Sequence, residues 1–173
     1  MKEINRLVSL SLRYIFLVLI AIPNLYIFYL ILTPLTIYPS FFLLDLFFNV
    51  AIQGTIIFVQ GKGLIEIIPA CIAGAAYYLL LVLNLSIPNI KVKQRLKMIA
   101  YAFSILLLAN ILRIFLLSIF SSSELFSIAH HAFWYFLSTL FVAVIWFSEV
   151  KMFKIDEIPV YSDIKFLWSK IRK

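Results

Sequence analysis

The chain contains a single cysteine, Cys71, two adjacent histidines, His130 and His131, and an arginine, Arg113, set in an otherwise apolar run. A thiol attacks a carbonyl only as thiolate, and a neighbouring cation or the start of a helix favours that form. An imidazole can accept the thiol proton and return one to a leaving amine. A guanidinium presents fixed donors that can pair with a thiolate or hold an oxyanion. Asn110 lies one helical turn before Arg113 and can orient it or add a donor. Together these residue types suit a cysteine-dependent acyl transfer.

Singly, each has a plainer explanation. A lone Cys is usually a small core hydrophobe. An arginine near a helix end can snorkel to headgroups, and Asn110 can serve as an interhelical hydrogen bond. The two His suit an interface, Glu66 and Glu124 suit solvent, and Asp45, Asn49 and Gln53 suit packing. Trp134 and Trp146 suit a lipid-facing belt. The chemical reading therefore depends on whether the fold brings Cys71, Arg113 and a His together.

The elements that must position them belong to a membrane protein. Of 173 residues, 64% are hydrophobic and 13% charged. A soluble domain of this size keeps too much surface to hide that fraction. The expected fold is all-α: one integral membrane domain over residues 1–173 with about four transmembrane helices at 8–32, 71–87, 98–120 and 127–147. Each can span roughly 30 Å of hydrocarbon. Pro23 is expected to kink the first helix. The apolar stretch 7–32 is too long for a signal h-region and is read as a retained helix.

Between the first two spans, Thr33-Pro34 through Pro39-Ser40 reads as a turn. Residues 41–52 read as an interfacial helix, with Asp45, Asn49 and Gln53 at i, i+4 spacing. Residues 55–68 place β-branched runs around Gln60-Gly-Lys-Gly63, the pattern of a β-hairpin on the outer face. A fifth span over 41–60 is the competing reading.

Charge placement decides between them and also excludes a nucleic-acid partner. The net charge is +7, and the basic residues cluster in the N-terminal tail (Lys2, Arg6, Arg13), the loop Lys91 to Lys97, and the tail from Lys151 onward. Such clusters beside apolar runs follow the positive-inside rule and anionic headgroups. A fifth span would carry the Lys91–Lys97 loop outside. With four spans both termini and that loop are cytoplasmic, and Cys71, Arg113 and the His pair share the outer rim. No metal or organic cofactor is implied, because Cys/His zinc spacings and a CxxC pair are both lacking.

Three segments in this order, Glu66-Ile-Ile-Pro-Ala-Cys71-Ile-Ala-Gly74, Ala109-Asn-Ile-Leu-Arg113-Ile and Ala129-His-His-Ala-Phe-Trp134, resemble the exosortase/archaeosortase family. The likeness covers about residues 55–146, and its Asn-x-x-Arg piece is the most specific. The chain departs from the family in having Ile72 and Ala73 where small polar residues commonly follow the Cys, and Trp134 where a Gly often follows the His. His130 is the favoured match and His131 the alternative; on a helix their rings point about 100° apart, so one role cannot belong to both.

The resemblance implies a membrane-embedded cysteine transpeptidase or peptidase, with Cys71 as nucleophile, His130 as base and acid, and Arg113 as electrostatic stabiliser. It implies partners that are secreted proteins ending in a motif, a hydrophobic helix and a basic tail, cut at the outer face and transferred to an acceptor, in archaea a membrane lipid. The short chain favours an archaeosortase-like member. A non-catalytic membrane scaffold or a small transporter subunit is the alternative class.

Overall fold

The computed structural model describes residues 2–121, 128, 130–132 and 138–172. Its helices are α1 (Lys2–Ala21), α2 (Tyr26–Asp45), α3 (Pro69–Ile72), α4 (Gly74–Leu85), α5 (Val92–Ile119), α6 (Ser138–Phe153) and α7 (Tyr161–Ile171). Strands β1 (Val50–Gln53), β2 (Ile56–Val59) and β3 (Gly63–Glu66) lie between α2 and α3. The mostly helical fold agrees with expectation, and α2 and α5 are long and apolar enough to cross a membrane. By the same measure α4 is short, with 12 residues, and α1 carries Lys2, Glu3, Arg6 and Arg13. The expected segment 127–147 lies partly outside the described residues; within them α6 begins at Ser138 and runs on to Phe153.

Three boundaries differ from expectation. The single kinked helix over 8–32 is two helices. Pro23 lacks an N–H and its ring displaces the carbonyl one turn back, and Asn24 and Leu25 then adopt φ of 49° and 59°, which ends α1 outright. The turn expected at 33–40 is helix interior: Pro34 and Pro39 both sit inside α2. A transmembrane helix tolerates such prolines where its neighbours shield the freed carbonyls, and Thr36, Ile37 and Ser40 are buried along this stretch.

The interfacial helix expected over 41–52 is replaced by the end of α2 at Asp45 and by β1, and no helix covers 46–60. Here a period of two overrides the i, i+4 polar spacing. Val50, Ile52, Ile57, Val59, Ile65 and Ile67 turn to the core, while Ala51, Gln53, Phe58, Leu64 and Glu66 turn outward. Asn49 is a cross-strand partner, its side-chain amide donating to Gln60 Oε1 at 2.8 Å.

The hairpin expected over 55–68 is present as β2–β3 and gains β1 as a third strand, in the antiparallel order β1-β2-β3 with Ile52 opposite Ile57 and Ile57 opposite Ile65. Gly61 supplies the positive φ, 78°, that the third position of the β2–β3 turn requires.

The helices pack around Leu17, Phe28, Tyr77, Leu80, Ala102, Leu106, Val142 and Ile145. Tyr77 and Phe103 meet edge to face at 5.1 Å. Leu12, Leu19, Leu30, Leu108, Leu112, Val144 and Phe147 point outward, an apolar exterior suited to lipid.

Where α4 ends, its last carbonyls would be left without partners, and two arginines supply them. Arg13 donates to the carbonyls of Leu85 at 2.7 Å and Ile87 at 3.2 Å, and pairs with Asp163 of α7 at 3.1 Å. Arg95 donates to the carbonyls of Asn84 and Ile87. Tyr14 donates to the second oxygen of Asp163, a residue only 2% exposed. Removing one member of a buried pair strands the other charge, at a cost of about 3–5 kcal/mol. Arg13→Ala is therefore expected to destabilise the detergent-solubilised protein by about 3 kcal/mol. In a double-mutant cycle read by thermal unfolding, Arg13→Ala/Asp163→Ala should lose clearly less than the sum of the single changes; strict additivity would mean that the pair is not coupled.

Candidate active site

Cys71 is the third residue of α3, a single turn whose entry is set by Pro69. It does not open a long helix, as its sequence position had suggested. Ala73 takes φ 60°, ψ 34° and separates α3 from α4. Since the macrodipole grows with the number of aligned peptides, one turn gives the thiol little of the support expected there. An alanine in the left-handed region costs on the order of 1–3 kcal/mol and persists only when its surroundings hold it.

Those surroundings are visible. The Asn110 side chain donates to the Cys71 carbonyl at 2.8 Å, and Arg113 Nη2 donates to the same oxygen at 3.4 Å. The i, i+3 spacing places both donors on one face of α5. Asn110 is 3% exposed and Arg113 is 7% exposed. On the other side, α4 approaches α2 so closely that a Cβ on Gly74 would lie 3.0 Å from the ring of Tyr29. Gly74 is what lets the Cys71 turn seat against α2.

Cys71, Arg113 and His130 line one cavity of about 290 Å³, bounded by β3, by Ile114, Leu117 and Ser118 near the end of α5, and by Ser121 just beyond it. His130 is half-buried and faces this cavity; His131 is exposed and is absent from its lining. The two rings stand 6.1 Å apart at 76°. Asn110 stands behind the cavity on the Cys71 carbonyl, not in its wall. Asp45, Asn49 and Gln53 take no part in it. Glu124 and Trp134 lie outside the described residues.

Three further polar residues border the cavity that sequence reasoning passed over: Lys62, Ser118 and Ser121. Lys62 Nζ donates to the carbonyl of Ile119 at 2.7 Å, placing a positive charge at the C-terminal end of α5, where the helix dipole favours it. Ser121 Oγ donates to the Lys62 carbonyl at 3.3 Å. The β2–β3 turn is thereby strapped to α5. The signal was available in the isolated Lys62 between two glycines, but its partner is remote in sequence. The arrangement places a thiol, an imidazole and a guanidinium around a space that admits a peptide bond. Among the described residues no cluster of metal-ligating side chains occurs.

Residues 4–148 match the family model described as transmembrane exosortase, of the EpsH type. No curated protein and no solved structure gives a significant match.

Gly74→Ala is expected to destabilise the protein by about 1–3 kcal/mol through overpacking against Tyr29. Tyr29→Ala in the same chain should recover part of that loss. The check is the thermal midpoint of both variants in detergent; no recovery would place the clash elsewhere.

Proposed function

The chain belongs to the transmembrane exosortase family, and on that premise we propose that it is a multi-pass cysteine transpeptidase that cuts C-terminal sorting signals of secreted proteins at the outer membrane face. The family as a whole points to a membrane-embedded, cysteine-dependent sorting enzyme. For this chain, the observation that carries the reading is the cavity shared by Cys71, Arg113 and His130.

In the proposed reaction His130 takes the Cys71 proton, and the thiolate attacks the carbonyl carbon of the scissile bond. Arg113, already directed at the neighbouring backbone, faces the oxygen on which negative charge develops. The tetrahedral intermediate collapses, the C–N bond breaks, and the leaving amine takes the proton from His130. The secreted protein is then held as a thioester on Cys71. An acceptor hydroxyl or amine, supplied by a membrane lipid or by water, gives its proton to His130 and displaces the sulfur, which regains a proton. In this reading the basic clusters hold both termini in the cytoplasm, and the Cys71 end of the bundle faces outside.

The test is processing in cells of a secreted protein that carries a tripartite C-terminal tail and is encoded by the same genome. Cys71→Ala and Cys71→Ser are expected to leave it uncut while the enzyme still inserts. His130→Ala should abolish processing and His131→Ala should largely spare it. Arg113→Lys should reduce it by about 10²-fold or more, since a point charge does not reproduce the planar fork. Normal cutting by Cys71→Ala would remove the nucleophile.

A further inference from the structure

The chemistry just described uses three side chains and leaves the wall opposite α5 without a role. That wall is β3, the last strand in the order β1-β2-β3. The Ile67 N–H donates to the Thr55 carbonyl at 2.9 Å, and the same register sets Ile57 against Ile65. In an antiparallel ladder, bonded residues turn both backbone groups toward their partner, and the residues between them turn theirs away. Ile65 and Ile67 therefore spend their backbone groups on the β2 side. Those of Leu64 and Glu66 point to the opposite side, where no strand pairs among the described residues.

The cavity lies along that side. Its lining runs through Leu64, Ile65, Glu66, Ile67 and Ile68 in unbroken succession. A cavity resting on one face of a strand would touch alternate residues; contact with each in turn is the mark of an edge. The edge leads directly into Pro69 and Cys71, and the end of α5 closes the far side.

We propose that the substrate binds here as an added strand: the extended segment preceding the scissile bond pairs with the open backbone groups of Leu64 and Glu66, and its next peptide bond reaches Cys71. The occupant is argued from the hydrogen-bonding pattern and from continuity with the cavity. Only an extended backbone presents N–H and C=O groups at the spacing of a strand edge, and backbone pairing of this kind leaves side-chain selection to alternate positions. At a membrane rim, where water is scarce, such a pairing is favoured over an exposed edge. A substrate helix would have to end before this point, so the cut falls in non-helical chain. The inference rests on the transpeptidase reading and specifies how its substrate is held.

The test uses the same cellular reporter with the full-length enzyme. Leu64→Pro deletes the N–H that faces the open edge and leaves the β2 ladder intact. It is expected to lower processing at least tenfold more than Leu64→Ala, with labelling of Cys71 by a membrane-impermeant maleimide unchanged. Equal losses for the two variants would overturn strand addition while leaving the enzyme reading in place. A proline scan of the reporter across the residues before its cut site avoids any question of enzyme folding. The proposal expects sensitivity at every second position, and a uniform or irregular pattern refutes it. A reporter left uncut by the unaltered enzyme defeats the transpeptidase reading itself, and the docking proposal with it.

Discussion

One carbonyl organises the site. The Cys71 oxygen, at the break between α3 and α4, receives Asn110 at 2.8 Å and Arg113 at 3.4 Å. Left unpaired, this part-buried carbonyl would add to the cost of the left-handed break, and α5 supplies its donors. The same pair sets the position of Cys71 relative to Arg113 and, through the packing of Gly74 on Tyr29, relative to α2. The polar residues of α5 are thus positioning groups for the backbone as well as candidates for chemistry.

How far this was legible in the sequence depends on the range of each signal. Apolar runs and basic clusters sort residues by depth, which is enough to bring Cys71, Arg113 and His130 to one level without knowledge of any contact. The β2–β3 hairpin was legible because its turn chemistry is local. The break at Ala73 was not: alanine has no preference for positive φ, and what surrounds it, the α5 donors on the Cys71 carbonyl and the packing of Gly74 on Tyr29, is remote in sequence. β1 was hidden because Asp45, Asn49 and Gln53 imitate a helical stripe until β2 is present to pair with. The prolines of α2 misled for a related reason, since their turn signal is calibrated on water-exposed chain and not on a helix shielded by neighbours. The arginine caps on α4 likewise depend on a fold that brings residues 13, 85 and 163 together.

The two ends of the bundle are built on contrasting terms. At the basic end Arg13 and Arg95 are committed to the carbonyls of residues 84, 85 and 87, and Asp163 balances Arg13, so that charge there serves to close a helix end. Nearby, Asn84 donates to Glu149 at 3.0 Å in full burial. At the Cys71 end, Arg113 borders open space as well as backbone. The same residue type is structural at one end and available for chemistry at the other, and the difference lies in the cavity beside it.

The strap from Lys62 to the end of α5 has a consequence for how chains of this kind can vary. A residue inserted between Gln60 and Gly63 would carry the ammonium away from the Ile119 carbonyl and free the sheet from its post. Sequence drift and length change should therefore be poorly tolerated in this small surface turn, a place where most proteins accept both, and should accumulate instead at the far tip between β1 and β2.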